Sequence, residues 1–473
     1  MKLFTANRDR LASYDLSEGR HLARVQIDRF GPRSGYPILL GDDMRPVPLL
    51  SDYLQHISGA LEKLTVWQYA YDLRLFGEFL ETVGLTADSV THHDIAAFRR
   101  IRTETGEHPL SSAAWNRTAS VLRGLFEWMQ WAGHTVQKPW IENLRKNSLS
   151  SRPTRAMDIR HLTLDQYRVF INQGVRGLLP GGTADLSLKV QNTARLYAGA
   201  DIARGTGMRR QEFSSLLLAE VLDPVIAKRR SSLELHATAK NKFARTVFIT
   251  ETMAERIRVY CKGERALHVA SNHQSLAKRH RNLLVIDQVS EDGQQMSGLL
   301  DNSRITKKTS AFTLEERKVM VEEGASGLQS MALFVTRNGT MTRPAVWSED
   351  FNAASLRMQK YSNAFSGHMP LHVTPHMLRH TFAVHMLAFF SKHLAEMNSK
   401  RHPKRTSTPT DLLRYNPLLR LQTLLGHASP QTTLHYVKYV GDMSATLEDA
   451  WPGWDDPASE FADYSNYLRG EDA

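Results

Sequence analysis

The chain has 473 residues, 41% of them hydrophobic, which suits two or three globular domains, and its one cysteine, Cys261, rules out an internal disulfide or a cysteine-based zinc site. Lys and Arg exceed Asp and Glu by 60 to 49, a formal charge of +11 that attracts polyanions and makes nucleic acid the first candidate partner. No apolar run approaches the roughly 18 residues of a membrane span, and the start, MKLFTANRDRLASYDLSEG, has no signal-peptide core, so the chain reads as cytoplasmic with no membrane partner.

Residues 1–50, with Pro32, Pro37, Pro46 and Pro48, read as an N-terminal extension without an assignable fold. From about Leu61, Tyr69, Leu73, Phe76 and Leu80 recur at helical spacing, and Gly84 stops the helix. Asp94 is a plausible N-cap for a shorter helix carrying Ile95 and Phe98. A third stripe is Trp115, Ala119, Leu122, Phe126 and Met129, with Arg117 and Arg123 off it. Residues 51–145 therefore form a compact helical domain, in which Arg117 and Arg123 are candidate nucleic-acid contacts. Residues 146–161 are polar and arginine-rich, the composition of an exposed linker whose Arg152 and Arg155 suit a phosphate backbone.

A second domain, 162–440, is mostly helical, with a small β component. LELHATAKNKFARTVFIT predicts two short strands around a Lys-Asn-Lys turn, and Asn338-Gly339 marks a turn in ALFVTRNGTMT. Residues 262–330 read as polar and irregular, and SKRHPKRTSTP, within 391–415, as a basic surface loop. The acidic tail 441–473 carries −8 beside a body of +19. The fold class is mainly α. No Walker A sequence occurs, and Gly205 to Gly207 alone do not make a nucleotide site.

The stretch LLGHASPQTTLHYVKY sets Tyr436 nine positions after His427. For a phenol to attack a phosphodiester, arginines must clamp the non-bridging oxygens, a histidine must donate to them, and an acid must protonate the leaving oxygen. In ARGTGMRRQEF, Arg209 sits at a glycine-bounded turn near a helix N-terminus, and Glu212 is placed to bond nearby backbone amides. In VTPHMLRH, Thr374 suits an N-cap and Pro375 the first helical position, so His376 and Arg379 lie one turn apart. His376 and His380 also have metal-pair spacing, with His372 and His385 near. No zincin acid or cysteine accompanies them, so no metal is expected and His380 and His385 read as buried structural histidines.

With TGMRRQEF, AKNKFARTVF, HMLRH and LLGHASPQTTLHY in that order, the sequence resembles the tyrosine recombinase (phage integrase) family over roughly residues 55–440. The resemblance implies a helical core-binding domain and a catalytic domain that clamp double-stranded DNA. It implies catalytic roles for Arg209, His376, Arg379 and His427, with Tyr436 as nucleophile. The family lysine falls on Lys240 when counted back from RTVF, with Lys242 the alternative. The implied activity is site-specific recombination through a 3′-phosphotyrosyl link, without a cofactor, by a tetramer on paired sites near the nucleoid. Accessory proteins of a mobile element are possible partners. The rival readings are a type IB topoisomerase and a non-catalytic architectural protein. The segments 262–330 and 391–415 lengthen gaps that compact members keep short.

Overall fold

A computed structural model describes residues 1–8, 31–107, 109–135, 137–140, 142–143, 146–147, 159–187, 192–221, 232–239, 243–278, 282–291, 293–324, 327–365, 369–400 and 416–441. The chain divides into two compact units, Met1–Ala156 and Met157–Ala473. Arg152, Arg155, Lys240, Lys242, most of the basic run after Lys400 and nearly all of the acidic tail lie outside the described residues.

In the first unit, β1 (Lys2–Thr5) pairs antiparallel with β2 (Pro37–Leu40), ahead of α1 (Leu50–Ile57), α2 (Lys63–Val83), α3 (His92–Arg100) and α4 (Ser112–Trp131). A two-residue pair, β3 (Glu142–Asn143) with β4 (Lys146–Asn147), follows. The stripes of α2 and α4 meet in one core that holds Leu73, Phe76, Trp115, Leu122 and Phe126. Burying each such side chain fully is worth about 1.5–3 kcal/mol. The residues read as an extension contribute to this core, since Leu39 is fully buried in it and Met1 and Leu3 pack on it. Gly84 ends α2 at φ +71°, the left-handed conformation that a glycine adopts without strain. Asp94 is not the cap of α3 but its third residue. Thr91 is the N-cap, and the Asp94 carboxylate accepts from the Thr91 amide at 2.8 Å and hydroxyl at 2.6 Å, the capping-box arrangement.

The second unit opens with α5 (Leu164–Val169), α6 (Thr193–Thr206), α7 (Arg210–Ser214) and α8 (Leu218–Val221). The predicted hairpin forms as β5 (Ser232–Leu235) and β6 (Arg245–Phe248), antiparallel with Leu235 opposite Arg245. Then come α9 (Glu251–Tyr260), α10 (Ala266–Ala270) and α11 (His273–Ala277).

The segment read as irregular instead continues into a five-stranded sheet, built from β7 (Leu284–Val289), β8 (Gln295–Leu300), β9 (Ser303–Lys308), β10 (Met320–Gly324) and β11 (Gly327–Ser330), with α12 (Leu314–Val319) before β10. Its spatial order is β11-β10-β7-β8-β9, and only the β10–β7 pairing is parallel. Leu284, Ile286, Met296 and Met320 pack on one side while Asp287, Arg304 and Lys308 are exposed. The strands do not alternate cleanly in sequence, since LVIDQV opens with three apolar residues in a row and SRITKK has one apolar residue in six, so no period of two marked them. The Asn338-Gly339 turn is present with Gly339 at φ +68°, but it closes only an isolated bridge between Val335 and Met341.

The last helices are α13 (Pro344–Gln359), α14 (Pro375–Lys400), α15 (Pro417–Leu425), α16 (Pro430–Leu434) and α17 (Val437–Gly441). α14 packs against both α6 and α15, and Trp347 of α13 meets Phe213 and Phe334 edge-on at 5.0 Å. These contacts hold the ends of α6, α14 and α15 around one patch. Among the described residues, no helix is long and apolar enough to cross a membrane.

Candidate active site

Two left-handed glycines shape the backbone of this patch. Gly207 ends α6 at φ +62°, and a Cβ there would meet the Phe382 ring at 2.4 Å. Gly426 ends α15 at φ +62° and lies under Arg245, whose Cδ would stand 3.0 Å from an added Cβ. A side chain at either place would combine backbone strain with a clash.

Just past Gly207, Arg209 is the N-cap of α7. Its amide donates to Glu212 Oε2 at 2.6 Å, and its guanidinium donates to Glu212 Oε1 at 3.1 Å. Glu212 is buried, and Arg245 at the start of β6 grips it with two bonds, 2.8 Å to Oε1 and 2.5 Å to Oε2. The hairpin that carries the candidate lysines is thereby tied to the Arg209 turn. Arg209 Nη2 also reaches the Gly426 carbonyl at 3.5 Å.

Thr374 caps α14, accepting from the Met377 amide at 3.1 Å, so the helix starts at Pro375 as its sequence predicts. Arg379 is buried one turn in and donates to the carbonyls of Gly207 and Leu425, the latter at 2.6 Å. Both are carbonyls near the ends of α6 and α15, so one guanidinium joins the two helix termini. His376 is exposed at the mouth, and its ring lies 4.2 Å from that of His380.

On the other side, α16 and its following turn present Tyr436, whose amide donates to the Thr433 carbonyl at 3.1 Å. The Tyr436 ring is buried and stacks on His427, with 6.2 Å between centroids. His427 Nδ1 lies 3.0 Å from the Thr433 hydroxyl. When that hydroxyl donates, the ring proton sits on Nε2, and Nε2 is left to donate elsewhere. The Tyr436 hydroxyl lies 2.8 Å from His380 Nδ1. His380 was read as a structural histidine; its contact with the tyrosine oxygen is what the sequence reading missed.

The electrostatics of the patch are those of a site short of negative charge. Three guanidinium groups, from Arg209, Arg245 and Arg379, surround one carboxylate. Burial pushes Arg379 down to about 9, helped by Arg209 and Arg245. His427 falls to about 3 through burial and the same three arginines, and His376, exposed as a residue but with its ring partly desolvated by its neighbours, is lowered by that desolvation, Arg379 and Arg209. Burial alone would raise the Glu212 carboxyl, but the hydrogen bonds and charge of Arg245 and the Arg209 amide hold it below the usual carboxylate range. Burial keeps the Tyr436 phenol above its ordinary pKa against the pull of Arg379 and Arg209, so it is protonated at neutral pH. An anion placed among these groups would relieve every one of the downward shifts.

The structure thus gathers Arg209, His376, Arg379, His427 and Tyr436 around one patch. It adds Glu212, Arg245, Thr433 and His380 as their partners. Arg117 and Arg123 lie in the first unit. Arg117 is half-exposed on α4, with Nε 3.4 Å from the buried Asp72 carboxylate, and Arg123 is partly buried on the same helix.

Comparison with known proteins gives two family matches. The phage integrase N-terminal SAM-like domain matches residues 50–133, and the phage integrase family matches residues 184–389. No curated protein matches the chain. Among solved structures, XerH site-specific recombinase bound to palindromic difH substrate, a post-cleavage complex, is 16% identical, with 86% of this chain and 84% of that chain covered and a TM-score of 0.45. The Tn1549 transposon integrase in complex with transposon right end DNA is 16% identical, with coverage of 84% and 98% and a TM-score of 0.41. The Lambda integrase bound to DNA is 14% identical, with coverage of 77% and 94% and a TM-score of 0.41.

Proposed function

Since the chain belongs to the phage integrase family of tyrosine recombinases, we propose that it is a site-specific DNA recombinase that breaks and rejoins strands through a 3′-phosphotyrosyl link on Tyr436. The observation that supports this most is the cation-rich patch of Arg209, Arg245 and Arg379 beside the buried Tyr436 hydroxyl.

A phosphodiester seated there meets Arg209 and Arg379 as clamps, with His376 and His427 Nε2 as donors to the non-bridging oxygens. These charges act where negative charge grows in the transition state, and the apolar wall formed by Phe382, Leu421 and Leu425 lowers the local dielectric and strengthens them. Tyr436 attacks the phosphorus, and the 5′-oxygen departs with a proton from a lysine of the β5–β6 turn, Lys240 in this reading. The phosphotyrosyl link conserves the bond energy, so a 5′-hydroxyl from a partner strand reverses the step without an external energy source. Double-stranded DNA is the substrate, and assembly of protomers on paired sites belongs to the same proposal.

Wild-type protein and Tyr436→Phe incubated with a nicked suicide duplex test it. The wild type should give an SDS-resistant protein–DNA band, and Tyr436→Phe should bind the duplex without forming one. An adduct from Tyr436→Phe would remove the tyrosine from its role.

A further inference from the structure

We propose that His380 is the general base that takes the phenolic proton as Tyr436 attacks, an inference that rests on Tyr436 being the nucleophile. Its Nδ1 stands 2.8 Å from the Tyr436 hydroxyl, the hydrogen-bond reach that proton transfer needs. Among the described residues, no other side chain is bonded to that oxygen. His380 follows Arg379 directly and lies one turn beyond His376, so the helix that supplies the phosphate clamp also supplies the base, at a deeper level.

The protonation states fit. Burial, together with His376, Arg379 and His161, brings His380 down to about 4, so the ring is neutral at physiological pH and has a lone pair to offer. The phenol, held protonated by burial, needs that base. The titratable groups facing His380 are His376 and Arg379 on its own helix, His161 from the segment before α5, and Tyr436 and His427 from the α15–α16 region.

In the step, the phenolic oxygen forms its bond to phosphorus as the proton moves to Nδ1. The bond from phosphorus to the 5′-oxygen breaks, and that oxygen takes the proton held by the lysine turn. Strand joining runs the same transfers backwards, with His380 as the acid that returns the proton to the leaving phenol. The imidazolium formed in cleavage lies beside the phosphodiester of the covalent link, whose negative charge offsets its repulsion from Arg379 until joining returns the proton to the phenol.

The test uses full-length protein in single-turnover cleavage of the suicide duplex. His380→Ala should lose about 10²-fold or more in rate, the range of general-base catalysis, with DNA binding retained. His380→Asn places a polar group near the position of Nδ1 but cannot take a proton, and should lose a similar amount; it also carries the test if the alanine variant does not fold. Replacing Tyr436 in either variant by a more acidic fluorinated tyrosine should restore much of the rate, because a phenol that ionises by itself needs no base. The wild-type rate should stay level from neutral pH down to about pH 5 and fall as His380 protonates near 4. The rate of His380→Ala should instead climb with pH across the neutral range.

Wild-type rates from both variants would overturn the proposal, and so would a loss that the acidic tyrosine does not repair. Tyr436→Phe run alongside separates the two levels: an adduct from that variant defeats the nucleophile reading, whereas an inert Tyr436→Phe beside a fully active His380→Ala defeats the base alone.

Discussion

At the centre of the first unit, Phe76 lies 5.3 Å from Phe98 and 6.3 Å from Phe126, and Phe98 lies 6.0 Å from Trp115. At the patch of the second unit the buried groups are Arg379, Arg245, Glu212 and His380. The ring cluster is a sum of many small, non-directional contacts, so a lost side chain leaves a cavity and its neighbours keep most of what they had. The charged cluster has no such tolerance. Arg245 is acceptably buried only because Glu212 accepts both of its bonds, and Glu212 is ionised there only because Arg245 and the Arg209 amide hold it. Such an arrangement adds little net stability, because desolvation offsets much of the attraction. It fixes the arginines in place, and in the proposed function it does so before a phosphate arrives.

Removing the carboxylate should break this contrast most sharply. Glu212→Ala leaves buried cations without a counter-charge and should destabilise the second unit by roughly 3–5 kcal/mol, while α2 and α4 in the first unit keep their amide protection. Hydrogen exchange read peptide by peptide measures both at once. Equal loss of protection in both units would show that the charged cluster is not a local structure of the second unit.

A cavity in the ring cluster is the reciprocal experiment. Leu122→Ala, at a fully buried position of α4, should cost about 3 kcal/mol and raise exchange in α2 and α4, with α14 unchanged. Less than about 1 kcal/mol would mean that the helices close over the gap, and that this core is softer than its aromatic packing indicates.

The same contrast explains what was legible in the sequence. The stripe Trp115, Ala119, Leu122, Phe126 and Met129 repeats because all five face one core, and periodicity alone finds it. Periodicity says nothing of Arg209, His376, Arg379, His427 and Tyr436, which come from separate turns and helix ends. Their short motifs and order drew them together before any geometry did. The partners were harder to see. Arg245 is one cation among 60 in the chain, and nothing local distinguishes it from a solvated one; only the strand register places it over Glu212. His380 looked structural because its partner, Tyr436, is 56 positions away. The five-stranded sheet was missed for another reason, since strands such as LVIDQV and SRITKK lack the strict alternation that marks a half-buried strand.

Arg117 is where the two kinds of region meet within the first unit. Its Nε lies 3.4 Å from Asp72, a carboxylate buried in the helical core that also accepts from the Thr118 hydroxyl at 3.0 Å. Half of the Arg117 side chain is exposed, so solvent screens the pair, and Arg117→Gln should lower stability by no more than about 1 kcal/mol. Thr118 continues to serve Asp72 in that variant, which keeps the loss small. If Arg117 also contacts a DNA phosphate, as its place off the apolar stripe suggested, one counterion fewer is released on binding. The slope of log K against log salt should then become shallower by about 0.9, with the loss of affinity similar on target and unrelated duplexes. Binding titrations at four or five salt concentrations, beside a melting curve, separate the two roles. A changed melting curve with an unchanged slope would make Arg117 solely the partner of Asp72, and the search for phosphate contacts in this unit would pass to Arg123.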